Sequence, residues 1–137
     1  MARLKNPKAK GDKYERDLAK YFNDVIFNGE PRVSRAPLSG GGSLNWQAGG
    51  ADLLGLPLWF AEAKAVEKLN FRTALAQAER NVGIRDTGDI PVVFSKINRE
   101  PIEDSVVALR LKNFYPLMRI QYQLNRIIDW DDDDSEF

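Results

Sequence analysis

The stretch GADLLGLPLWFAEAKA, residues 50–65, carries the strongest structural signal in this chain. It contains two apolar runs, Ala51 to Leu56 and Leu58 to Ala65, around the turn signal Gly55-Leu56-Pro57. Short apolar runs that are bounded by turn residues are typical of β-strands. The stretch therefore predicts two strands joined as a tight hairpin.

Three charged residues of this stretch are predicted to lie together. Glu62 and Lys64 point to the same side, because side chains alternate between the two faces of a strand. If the hairpin is centred near Pro57, Asp52 lies directly opposite Glu62. The Cβ atoms of such neighbours are about 5 Å apart, and two carboxylates at that distance repel each other unless a proton or a cation lies between them.

A hard metal ion would relieve this repulsion. Mg²⁺ prefers oxygen ligands and keeps several waters, so Asp52, Glu62 and a backbone carbonyl such as that of Ala63 are suitable ligands. Lys64 beside the metal can orient a water or stabilise negative charge on a phosphate. The pattern predicts hydrolysis of a phosphodiester without a covalent intermediate.

A surface salt bridge is the usual explanation of a glutamate two residues before a lysine. Here the pair follows the strongly apolar Leu58 to Ala61, at the end of a strand that we expect to be buried. Unused charges are costly in such a place. This context favours a functional role for Glu62 and Lys64.

An amphipathic helix is predicted from Asp12 to about Phe27. On a helical wheel Glu15 falls at the edge of the apolar face, between Phe22 and Ile26, so its carboxylate points toward the sheet. A capping box is the alternative, in which Asp12 caps the helix and Glu15 reaches back to its amide. The sequence leaves both interpretations open.

Further segments alternate between strand and helix patterns. Predicted strands and helices are, in chain order, a strand at Arg32 to Pro37, a helix from a cap at Asn70 to a stop at Gly83, strands at Ile90 to Phe94 and Ser105 to Leu111, and a last helix capped by Asn113. The glycine-rich loop Ser39 to Ser43 is not a P-loop, because no Gly-Lys-Ser/Thr follows it. The order predicts an α/β fold with a central mixed β-sheet flanked by helices.

Composition excludes several mechanisms. The 137 residues suit one domain, and they include no Cys and no His. Disulfides, zinc sites built on Cys or His, Ser-His-Asp triads, Cys-His nucleophiles and nucleases with a histidine base are therefore excluded. Any catalysis must depend on carboxylates, lysine and a hard metal.

The zero net charge conceals an uneven distribution. Six of the twenty acidic residues lie in the acidic tail at residues 129–137, so residues 1–128 carry a net charge of +6. Residues 1–11 form a basic arm, which is either a phosphate contact or a frayed terminus, and residues 12–128 form the folded domain. No segment has the pattern of a signal peptide or a membrane span, so we expect a cytoplasmic protein that does not bind membranes.

Together, these residues resemble the PD-(D/E)xK nuclease superfamily, and within it the Holliday junction resolvases of archaeal and phage type. The resemblance covers roughly residues 10 to 96. Its motifs are, in chain order, KGDKYERDL at residues 10–18, Arg35, Ser39-Gly40, Gly50-Ala51-Asp52 and Glu62-Ala63-Lys64. One departure is Ala51, which stands where the superfamily's name has proline.

The resemblance implies a restriction-endonuclease-like core and a role for each matching residue. Glu15, Asp52 and Glu62 would be metal ligands, and Lys64 would be the catalytic lysine. Ser39 would lie near the scissile strand, and Gln77 falls where such nucleases often carry a glutamine. An exposed helix glutamine is the alternative for Gln77.

The implied function is a structure-selective DNA endonuclease that cuts four-way junctions with Mg²⁺, for which Mn²⁺ can substitute. Such an enzyme acts as a homodimer on branched double-stranded DNA in recombination or repair, in the host cytoplasm if it is phage-encoded. Candidate phosphate contacts are the basic residues Lys8, Lys10, Lys13, Arg32 and Arg35.

Three other interpretations stay open. One is a nuclease of the same superfamily with another substrate, such as a restriction-type, flap or replication-fork enzyme. Another is a DNA-binding module without catalysis. The third is an interaction protein whose acidic tail, with Trp130 and Phe137, mimics DNA or binds a partner, although a solvated, disordered end is the default explanation.

Overall fold

A computed structural model of the chain describes residues 6–37, 50–86 and 88–129. Ser39, the glycine-rich loop and residues 130–137 of the acidic tail lie outside the described residues. The elements of the described part are, in chain order, α1 (Pro7–Val25), β1 (Ser34–Arg35), β2 (Leu53–Leu54), β3 (Trp59–Lys64), α2 (Phe71–Arg85), β4 (Ile90–Ser95), a 3₁₀ turn (Ile102–Asp104), β5 (Val106–Ala108) and α3 (Leu111–Leu124). The α/β prediction is confirmed at this level.

A mixed three-stranded sheet of order β3-β4-β5 forms the centre of the fold. β3 and β4 are parallel, with Trp59 beside Ile90 and Lys64 beside Ser95. β5 pairs antiparallel with β4. Parallel neighbours require a crossover, and α2 supplies it here. The prediction of a mixed sheet is therefore confirmed.

Helices α1 and α2 pack on opposite faces of β3 and β4. Tyr14 and Leu18 of α1 share a buried cluster with Ala61, Ala63 and Val92. On the other face, Ala74, Leu75 and Ala78 of α2 pack against Phe60 and Val93. Because side chains alternate along a strand, Glu62 belongs to the face that α2 covers.

The predicted hairpin is only partly present. β2 forms its ladder with β1, pairing Ser34 with Leu54 and Arg35 with Leu53, rather than with β3. One backbone hydrogen bond, 2.9 Å from Asp52 N to Ala61 O, connects Asp52, the residue before β2, to β3. Asp52 therefore lies beside Glu62, as expected. It does so where the two-stranded sheet of β1 and β2 meets β3, and not in a regular hairpin.

Helix α1 begins earlier than the periodicity predicted. It starts at Pro7, and the Asn6 side chain caps it by accepting a 2.8 Å hydrogen bond from the amide of Lys8. Asp12 is therefore inside the helix and cannot be its cap. This overturns the capping-box interpretation of Glu15 and makes residues 7–11 of the predicted basic arm helical.

The other helix boundaries are partly as predicted. Asn70 caps α2 by accepting a 3.0 Å hydrogen bond from Thr73 N, but the helix continues past Gly83 to Arg85. α3 begins after Arg110, so the predicted cap Asn113 lies in its first turn. Within the described ranges, we find no helix with the length and apolar character that crossing a bilayer requires.

Candidate active site

Main-chain hydrogen bonds to the segments on either side of Asp52 hold it at the edge of β3. Its carbonyl accepts a 2.8 Å hydrogen bond from Ala36 N, while its own amide bonds to Ala61. Its Oδ2 atom accepts a 2.8 Å bond from Ala63 N. The side chain is thus fixed against β3, with one carboxylate oxygen engaged by the strand.

Glu62 is 7% exposed and shares a hydrogen bond with Asp52. Burial, followed by the charge and the hydrogen bond of Asp52, raises the pKa of Glu62 to about 8. Lys64 and a hydrogen bond from Asn81 act in the opposite direction. In the absence of a cation, the carboxyl group of Glu62 is therefore mostly protonated at neutral pH.

Glu15 approaches from α1 and is also 7% exposed. Burial is the main cause that raises the pKa of Glu15 to about 7, and the charge of Asp52 adds to it. Arg35 opposes the shift, because its Nε lies 3.2 Å from Glu15 Oε1. The Nη2 atom of Arg35 is also 2.8 Å from Asp12 Oδ1. Arg35, predicted as a phosphate contact, thus forms ion pairs with both Glu15 and Asp12.

The three carboxylates surround the edge of β3 without forming one cluster. Glu15 comes from the α1 face and Glu62 from the α2 face, and Asp52 lies between them. Within residues 6–37, 50–86 and 88–129, no three acidic side chains converge as a group of metal ligands. The pair Asp52 and Glu62 still fits Mg²⁺, because a cation beside the two carboxylates can replace the proton that the raised pKa keeps on Glu62.

A backbone oxygen points toward the same edge. Carbonyl directions alternate along a strand, with Ala61 O bonded to Asp52 N and Lys64 O bonded to Lys96 N of the neighbouring segment. Ala63 O therefore lies on the Asp52 side of β3. This supports the expectation that its carbonyl is available to a metal.

The other predicted site residues lie in different surroundings. Arg32 pairs with Glu30 at 2.9 Å, and its guanidinium lies over the Phe27 ring. Lys10 and Lys13 line a cleft beside α1. Gln77 is exposed on α2.

Asn81 is the residue that the sequence analysis missed. It lies one turn after Gln77 on α2, and its side chain forms the hydrogen bond to Glu62. Asparagine is a poor helix former, so its place inside a fifteen-residue helix is a signal that could have identified it. Its amide holds the carboxylate of Glu62 in place.

The raised pKa values predict how the stability of the metal-free protein depends on pH. A carboxyl group whose folded-state pKa exceeds its unfolded value stabilises the fold below the unfolded pKa, and this stabilisation is lost as pH rises through the folded pKa. For Glu62 that window runs from about 4.5 to about 8. In a chelator, we expect thermal unfolding to occur at a lower temperature at about pH 9 than at about pH 5, with a loss on the order of 3 kcal/mol.

The control is Glu62→Gln, which has no group to titrate at this position and should show a smaller decrease. Mg²⁺ at the higher pH should raise the melting temperature of the parent protein, since a ligand of the folded state stabilises it. An unchanged melting temperature across this window in the chelator would contradict the raised pKa of Glu62.

Comparison with known proteins adds no relative. No family model, curated protein or solved structure matches this chain.

Proposed function

We propose that this chain is a Mg²⁺-dependent DNA endonuclease of the PD-(D/E)xK type, selective for four-way junctions. The observation that supports this most directly is the carboxyl group of Glu62, which is buried and hydrogen-bonded beside the partly exposed Asp52, with Lys64 two residues along the same strand. Burying one carboxylate beside another costs stability. A cation site explains why the protein keeps this costly arrangement, because a bound cation offsets the repulsion between the two carboxylates.

Each residue has a role in this proposal. Asp52, Glu62 and the carbonyl of Ala63 would hold the metal, which, when bound, polarises the scissile phosphate and lowers the pKa of a bound water. Lys64 donates a hydrogen bond to the attacking water or to a phosphate oxygen. Asn81 orients Glu62, and Arg35 orients Glu15, which adds negative charge beside Asp52.

The fold order is compatible with a restriction-endonuclease-like core. α1 precedes the strands, and the strand that carries Glu62 and Lys64 connects through α2 to its parallel neighbour β4. This places the charged residues of β3 at one end of a sheet that has a helix on each face. The arrangement supports the proposed family without depending on any single residue.

The proposal includes a homodimer, because a four-way junction has two strands to cut symmetrically. Several large apolar side chains of β5 and α3 are exposed, among them Val107, Phe114, Leu117 and Ile120. A partner subunit that covers these side chains would remove their apolar surface from water. Sedimentation analysis is expected to give twice the 15.5 kDa chain mass, and a monomer at the concentrations that cut DNA would contradict the homodimer.

The test of the function compares a synthetic four-way junction with a linear duplex of the same arm sequence, each with Mg²⁺ and with a chelator. We expect paired, metal-dependent nicks near the crossover of the junction and no cutting of the duplex. Cutting of both substrates would replace the resolvase with a general nuclease of the same type. Binding without cutting would leave a DNA-binding module.

A further inference from the structure

A cleft lies between the first turns of α1 and the segment that follows β4. It has a volume of about 170 Å³. Three lysines line it, together with polar and apolar neighbours: Lys10, Lys13, Lys96, Tyr14, Ala65 and Asn98. We call it the lysine cleft, and only Lys10 and Lys13 were candidates for DNA contact from the sequence.

The charge of the lysine cleft favours an anion. Asp17 also lines it, but its Oδ2 is 2.6 Å from Lys13 Nζ, so these two charges offset each other. Among the lining residues the charges of Lys10 and Lys96 remain, and the charge of Glu100, which acts on Tyr14, opposes them in part. Lys96 Nζ donates one hydrogen bond, 3.2 Å long, to Ile97 O, and an ammonium group has three donors.

The segment that carries Lys96 is held in place by two carboxylates. Glu100 accepts a 3.0 Å hydrogen bond from Ile97 N, and Glu67 accepts a 3.2 Å bond from Asn98 N. These bonds tie the segment to itself and to the chain that follows β3. The turn that carries Lys96 and Asn98 is therefore fixed before a ligand binds, which lowers the entropy lost on binding.

The lysine cleft adjoins the candidate active site. Lys96 N donates a 3.1 Å hydrogen bond to Lys64 O, and Tyr14 directly precedes Glu15 on α1. The cleft thus lies where the parallel strands β3 and β4 reach their carboxyl ends. In open α/β sheets this edge is where ligands bind.

We propose that the lysine cleft binds a backbone phosphate of the DNA close to the scissile phosphate, through Lys10 and Lys96. This inference rests on the proposed function, and it adds the direction in which the DNA strand leaves the active site, past β4 and the first turns of α1. Phosphate contacts of this kind fix the position of DNA and carry no sequence information. Lys96 is therefore a binding residue and not a catalytic one.

The experiment measures the affinity of the full chain for a labelled four-way junction in a chelator, over a range of salt concentrations. Lys96→Ala and Lys10→Ala are each expected to weaken binding about fivefold at low salt, equally for junctions of different sequence, and to reduce the slope of log affinity against log salt by about one. Lys96→Arg keeps the charge and should keep the slope. Lys112→Ala, in the first turn of α3, is the charge-matched control and should bind like the parent.

Two outcomes would overturn the inference, and they differ from each other. If the parent binds and cuts the junction but Lys96→Ala and Lys10→Ala behave like Lys112→Ala, the lysine cleft does not bind DNA and the proposed function stands. If the parent neither binds nor cuts DNA, the proposed function fails and the inference fails with it. Equal melting temperatures of the variants will show that their folds are intact.

Discussion

Glu62→Gln is expected to lower the rate of junction cleavage at least about a thousandfold while raising the melting temperature of the metal-free protein at about pH 8. The glutamine amide can keep a hydrogen bond to Asp52 but cannot supply the second negative charge that a divalent cation requires. Removing that charge also removes the cost of a buried carboxylate beside Asp52, because burial and, after it, the charge of Asp52 raise the pKa of Glu62 to about 8. Loss of activity together with a gain in stability distinguishes a functional carboxylate from a structural one.

The matched control is Glu103→Gln, because Glu103 is an exposed glutamate in the 3₁₀ turn. This variant should cut and unfold like the parent protein. Cleavage assays under single-turnover conditions and thermal unfolding in a chelator measure the two effects. If Glu62→Gln kept the parent rate of cleavage, the site proposed at β3 would be wrong.

Gly55→Ala is expected to be the most destabilising single methyl addition among the described glycines, with a loss of at least about 3 kcal/mol in the free energy of unfolding. Gly55 has a φ of +88°, and a Cβ atom there would lie 2.0 Å from Arg32 O and 3.1 Å from Val33 Cα. These are backbone atoms next to β1, so they cannot rotate away. The connection from β2 to β3 would have to shift, and Asp52 would move with it.

Two other glycines separate the causes of this loss. Gly88 also has a positive φ, +75°, but a Cβ atom there meets nothing within 4 Å, so Gly88→Ala should cost only about 1 kcal/mol. Gly11 lies inside α1 with open space around it, and Gly11→Ala should stabilise the helix slightly. Urea unfolding of the three variants gives the comparison. A loss for Gly55→Ala no larger than that for Gly88→Ala would contradict the close approach to Arg32.

The structure also changes how the basic residues of the chain are understood. Arg35, which the sequence suggested as a phosphate contact, is engaged by Asp12 and Glu15. Lys96, which the sequence did not single out, lies beside the main chain of Lys64. A single charged residue has no local signature of its partner, because the partner is brought to it by the fold.

Local patterns in the sequence were enough to predict most of the helices and strands. They also predicted that some of the charged residues on these elements are buried. Asn70 was correctly predicted as a cap, because capping depends on an amide three residues away. The apolar run from Ile90 was correctly predicted as a strand, and the helical wheel placed Glu15 on an inward face. Each of these features depends on neighbours within one or two turns, which are visible in the sequence.

Tertiary structure alone determined how those elements meet. β2 pairs with β1 instead of β3, Arg35 reaches back twenty positions to Glu15, and Asn81 bonds to Glu62 across the space between helix and strand. The raised pKa of Glu62 has the same origin, because it depends on burial and on Asp52. The sequence by itself determined that a glutamate and a lysine, Glu62 and Lys64, lie on a strand of the core. Which charged side chains touch, and how far the pKa of Glu62 is raised, depends on contacts between residues distant in the chain, for which periodicity and capping carry no information.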